Sequence, residues 1–266
     1  ATTIDPFVAQ SIEVHKGPST LLYGTGAVGG VIDVHTGRIP HAVPEEADGG
    51  VEVRGTDNGE QRVGAFRLDA GLSENLAIHF DGFYRDADEY DIPGFAESSR
   101  YRAAEEGEAH DEDHEEAHGD GEHEEGEEAF GVLPGSQLET QGGAFGLSYV
   151  GERGFLGAAL SRYEAVYGLP GHSHDHHDEE AHEEHEEHEE HGDEEMPPVL
   201  DLKQTRFDVE GGLEKPIAGV RSLNLRFGYV DYEHAEIEGG APGTMFSNES
   251  WEGRIELSHE ALLGVS

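Results

Sequence analysis

The feature that most constrains this chain is a period of two that recurs in eight segments, joined by connections of alternating length. In "NLAIHFDGFYR", Leu76, Ile78, Phe80 and Tyr84 fall on one side, and His79, Asp81 and Arg85 on the other. In "VRSLNLRFGYVDY", Leu223, Leu225, Phe227 and Tyr229 alternate with Asn224, Arg226 and Gly228. In "WEGRIELSH", Trp251, Ile255 and Leu257 alternate with Glu252, Arg254, Glu256 and Ser258. Successive side chains of a strand point to opposite faces, so each segment reads as a strand with one apolar and one polar face. The pattern predicts strands at about 50–56, 61–72, 75–91, 138–151, 154–168, 200–214, 220–237 and 247–261.

From the second strand onward, short links ("SEN", "GERG", "KPIAG") alternate with long ones at about 92–137 and 169–199. Structureless loops beyond ~15 residues are uncommon in compact domains. Short turns at one end and long loops at the other are the signature of an up-and-down transmembrane barrel. Several segments also reach the ~9–11 residues a tilted strand needs to cross a bilayer. A soluble β-sandwich gives similar alternation. The barrel is preferred because the polar face carries Arg, Asp, Glu and His, while aromatics near strand ends (Tyr84, Tyr149, Tyr163, Tyr229, Trp251) suit an interfacial girdle. The fold class expected is therefore all-β.

Charge narrows the partners. The chain holds 59 acids against 16 Lys and Arg, a formal charge of −43. Such a chain repels phosphate backbones, which argues against nucleic acid, and it attracts cations. The acid is concentrated: residues 105–128 hold 14 acids and four His, and residues 171–195 hold 13 acids and eight His. The remainder, with 32 acids against 16 bases, is only moderately acidic. There is no cysteine, so thiolate metal sites are excluded.

The glycines of "LLYGTGAVGG" tempt a nucleotide-binding reading, since Gly24, Gly26 and Gly29 have G-x-G-x-x-G spacing. That motif must open a helix. Here the β-branched "VIDVHT" follows, which reads as a strand and offers no helix N-terminus for a pyrophosphate. No organic cofactor is expected.

The wider stretch 11–36, "SIEVHKGPSTLLYGTGAVGGVIDVHT", resembles the end of the plug domain of TonB-dependent outer-membrane receptors. Its "IEV-x-KGP" turn, "LLYG" segment, glycine run and "GGVI-x-V-x-T" strand carry the likeness, with His15 and His35 at positions that are not usually His. "LSENLAIHFDGFYRDADEYD" is similar to the early barrel hairpin of these receptors. The resemblance implies a plug inside a barrel of about 22 strands, a Gram-negative outer-membrane location among outer-membrane lipid, and a partner in the TonB complex of the inner membrane. It makes this chain a fragment: residues 1–48 the C-terminal part of the plug, and 49–266 about eight strands of the barrel. In that topology the first strand runs outward, and both acidic tracts fall on the extracellular side.

The tracts carry the chemistry. One contains His172, His174, His176 and His177, then His182, His185, His188 and His191 at spacing three; the other contains His110, His114, His118 and His123. Neutral imidazole is a good ligand for zinc, copper and nickel, and carboxylates add charge. Glu pairs between the His oppose helix formation, and a bound cation relieves that repulsion. Disorder without metal and partial ordering with it are expected. Nitrogen and oxygen donors without sulfur suit zinc, with nickel or copper as alternatives. "HEEAH" at 114–118 matches a zinc-protease motif only formally, in a tract where His and Glu abound and no apolar helix carries it, so no catalysis is expected. "YGLPGHSHDHHDEE" and the strands after it resemble the zinc-uptake branch of these receptors. The expected cargo is zinc, caught at the surface and passed to a tighter site between plug and lumen, with His15, His35, His41 and His79 as its candidate ligands. A siderophore, haem, nickel or copper receptor and a surface metal-buffering protein are the alternatives.

Overall fold

The computed structural model describes residues 4–102, 129–170 and 197–260. Its main feature is an eight-stranded antiparallel sheet in the order β12-β11-β10-β9-β8-β5-β4-β3. The strands are β3 (Asp48–Gly55), β4 (Arg62–Ser73), β5 (Leu76–Ala87), β8 (Leu138–Gly151), β9 (Gly154–Gly168), β10 (Val199–Glu214), β11 (Val220–Glu238) and β12 (Ala241–His259). Each pairs with its predecessor in the sheet, the meander that the alternation predicts. A separate hairpin, β1 (Ser11–Lys16) with β2 (Gly30–His35), precedes it. A second small hairpin, β6 (Tyr90–Phe95) with β7 (Phe130–Leu133), stands at the start and end of the first long connection.

Register explains why the sheet has two unlike faces. Directly opposed residues share a face, and Leu68, Phe80, Phe145, Leu160, Phe207, Tyr229 and Trp251 form one continuous row across seven strands. All but Tyr229 are exposed, Trp251 to 76%. No protein among the described residues covers this outward apolar row, which is the pattern of the outer face of a transmembrane barrel. Towards the long connections the same face becomes polar, with Gln141 beside the charged Glu164, Lys203 and Glu233 in one row. The apolar band therefore ends there. β11 and β12, 19 residues each, continue past it.

The opposite face is polar or packed. It carries Asp69, His79, Asp81, Arg85, Arg206, Glu210 and Arg226, with a small core of Ala65, Phe83, Tyr163 and Ala165. Tyr163 is 6% exposed and packs near Phe83 with ring centroids 6.2 Å apart, so it is an inward residue and not part of an outer girdle. The cause is its parity on β9: Leu156 and Leu160 face out, so Tyr163 faces in.

Turns set the ends. Gly239 and Gly240 both have positive φ (55° and 79°), which closes β11 onto β12 as a two-residue hairpin. β12 accordingly starts at Ala241, earlier than the alternation predicts. The third strand stops at Ala87, where the sequence pattern runs on to 91, because the Asp88 amide turns to donate to the Gly59 carbonyl.

Both long connections leave from the same end of the sheet. Ala87 opposes Leu138, Leu138 opposes Tyr167, and Gly168 opposes Val199. Their stems touch: the Gly168 amide donates to the Gln137 carbonyl, and Leu169 to that of Pro198. Gly135 lies so close to Pro197 and Leu169 that a Cβ there would collide with both.

Candidate functional site

The inward face receives the N-terminal segment at three points, each built on charge. At the first, Asp5 caps a short turn at Pro6–Val8 and is fully buried. Its Oδ2 accepts from Arg54 at 2.6 Å and from Arg85 at 3.0 Å, while Phe7 packs on the Phe83–Tyr163 core.

The second point is Arg38. Its guanidinium binds both oxygens of Asp81, through Nε at 2.7 Å and Nη2 at 3.0 Å. Asp81 also faces His79 Nε2 at 2.9 Å, and His79 Nδ1 faces Asp69 at 2.7 Å. Each ring nitrogen of His79 thus has a carboxylate oxygen within hydrogen-bond distance. The His79 and Asp81 side chains are wholly shielded from solvent. This segment lies flat on the sheet: a Cβ on Gly146 would collide with the Arg38 carbonyl oxygen, and one on Gly157 would press on Ile39.

The third point is His41, which sits 2.9 Å from Glu210 Oε2 and stacks on Phe155 at 4.0 Å between centroids. Asn224, Arg226, Arg254 and Glu256 line the hollow around this pair.

His15 and His35 lie at opposite ends of the β1–β2 hairpin, yet both reach toward Glu13. His15 Nε2 is 3.5 Å from one oxygen, and His35 Nε2 is 4.0 Å from the other. His35 also stands 3.5 Å from Asp33, whose Oδ2 accepts from the Tyr23 hydroxyl at 3.1 Å. That bond, with the negative charge behind it, raises the Tyr23 hydroxyl above the ordinary phenol range and keeps it a donor.

Of the four non-tract His residues expected to serve a metal, the structure thus draws His15 and His35 to one carboxylate, sets His41 on the sheet wall, and commits both nitrogens of His79 to carboxylates. The tract residues His110, His114, His118, His123, His172, His174, His176, His177, His182, His185, His188 and His191 lie outside the described residues, as does "HEEAH". Among the described residues no three His, Asp or Glu already converge as a metal-binding group. Sequence reasoning missed Asp5, Arg38 and Glu210. Their only signal was a charge on the polar side of a strand or in a loop, and nothing local says which distant charge it meets.

Comparison with known proteins adds the family context. Residues 1–31 match the TonB-dependent Receptor Plug Domain. The fold as a whole resembles two solved receptors. It superposes on "Copper transporter OprC" with a TM-score of 0.60 at 12% identity, covering 97% of this chain and 32% of that one. It superposes on a mutant of the ferric enterobactin receptor (PfeA) from Pseudomonas aeruginosa with a TM-score of 0.61 at 15% identity, covering 97% of this chain and 34% of that one. The chain thus spans about a third of the length of these structures and has the fold of a TonB-dependent barrel receptor.

Proposed function

We propose that this chain is part of a TonB-dependent outer-membrane receptor that imports zinc and performs no catalysis. Residues 1–48 form the end of the plug and 49–266 the barrel wall, with the outer-membrane lipid against the Leu68–Trp251 row. The TonB complex supplies the energy that moves the plug. In this reading the long connections face outside the cell, and their His and acidic side chains gather Zn²⁺ by charge and by many weak ligands acting together.

What supports the reading is the sequence position of the two tracts together with the described stems that flank them. In the sequence the only segments dense in imidazole lie within the two long connections, whose described stems touch at one end of the sheet, past the polar row that ends its apolar band. Sequence likeness at "YGLPGHSHDHHDEE" points to zinc. The Arg38–Asp81 and Asp5–Arg54 pairs hold the plug segment against the wall, so cargo must pass a seal made of breakable charge contacts.

A second reading keeps the receptor and changes the cargo, because the two solved neighbours are named for copper and for ferric enterobactin. Uptake by the complete receptor under competition from zinc, copper, nickel and a ferric siderophore separates the two. Zinc uptake unaffected by the others supports the proposal, and preferential uptake of another cargo replaces it.

A further inference from the structure

We infer that the β1–β2 hairpin carries a divalent-cation site of its own, built from His15, His35, Glu13 and Asp33. This rests on the metal-transport reading and names the plug-side ligands for it. Glu13 and Asp33 directly oppose each other across the hairpin. Alternation puts His15 on the Glu13 side of β1 and His35 on the Asp33 side of β2, so all four share one face.

That face is costly without a cation. Like charges directly opposed across two strands are destabilising. Neither carboxylate has a Lys or Arg ion-pair partner among the described residues; their only ion-pair neighbours are the two His. The His15 Nε2 atom is shielded from solvent and makes no hydrogen bond. A sheltered, unbonded ring nitrogen beside an uncompensated carboxylate pair is the arrangement a metal ion completes.

Three of the donor pairs lie near the spacing a borderline cation asks for. Zinc bonds of ~2.0–2.1 Å in a tetrahedron place neighbouring donors ~3.3 Å apart. The donor pairs here are 3.5 Å (His15–Glu13), 3.5 Å (His35–Asp33) and 4.0 Å (His35–Glu13). Among the described residues no three of these donors yet converge, so binding asks the His15, His35 and Glu13 side chains to rotate toward one another. Tyr23 already orients Asp33 from outside, as outer hydrogen bonds orient metal ligands.

The test uses the complete receptor in detergent with residues 105–128 and 171–195 deleted, so that the tracts do not mask a single site. Zinc titration by calorimetry is expected to find one tight equivalent, which H15A, H35A and E13Q each weaken by about tenfold or more. Retention of that equivalent at full affinity in all three variants overturns the hairpin site, and so does absence of any tight equivalent in the deleted receptor. Heat-modifiable gel migration reports whether each variant is folded. Should the variants not fold, Cu²⁺ bound to the unsubstituted deleted receptor decides by electron paramagnetic resonance. Coupling to two nitrogens supports the site, and an oxygen-only spectrum overturns it. Failure of the transport reading looks different: the undeleted receptor neither binds nor takes up zinc.

Discussion

At the scale of single residues, the sheet grips the N-terminal segment through buried charge. Asp81 is the focus, since it serves Arg38 and His79 at once from a site without solvent. Removing one partner of a buried pair leaves the other unpaired and costs about 3–5 kcal/mol. Asp81→Asn is therefore expected to loosen the Arg38 segment and expose residues 36–47 to limited proteolysis in the folded receptor. Unchanged protection would show that the pair is incidental. Gly146→Ala should act on the same segment by volume, because the new methyl meets a backbone carbonyl that cannot rotate away. Little of this was legible in advance. The parity that turns His79 and Asp81 inward is written in "NLAIHFDGFYR", but their partner Arg38 stands 43 residues away from Asp81, and no local pattern joins them.

At the scale of elements, alternation carries almost everything. Eight strands and their order follow from it, because a face that must be apolar throughout tolerates no slip in register. It fails where its premise fails. At 88–91 the pattern of Tyr90 and Ile92 continues after the backbone has left the sheet. On β9 aromatic character alone points Tyr163 outward, whereas parity puts it among Phe83 and Ala165. At 241–246 the outward positions are too mixed to announce a strand, and the Gly239–Gly240 turn decides. Two expectations follow. Leu160→Arg in the outward row should destabilise the folded barrel by about 2–4 kcal/mol in lipid, whereas Ser161→Asn on the lumen side should change little. Equal effects would contradict the facing. Replacing Gly239 and Gly240 by Ala should cost ~1–2 kcal/mol per residue, read as lost folding yield or a lowered unfolding midpoint, because both sit at positive φ.

At the scale of the whole molecule, one sheet separates two jobs. Its apolar row faces outward, its charged face holds the N-terminal segment, and the described stems of its two long connections leave together from one end. Zinc held by imidazole must be lost as the rings protonate. Binding by the complete receptor is expected to fall as pH drops through about 6.5, since a protonated imidazole cannot ligate. A flat titration from pH 7.5 to 5 would assign the metal to carboxylates instead. The central claim is that imidazole-rich arms feed zinc to a TonB-driven barrel, and zinc-limited uptake by the complete receptor with and without residues 171–195 tests it most directly. The account predicts that the deletion leaves a folded receptor that needs several-fold more external zinc for the same TonB-dependent uptake. Uptake identical in the two forms, at every zinc concentration, would contradict it.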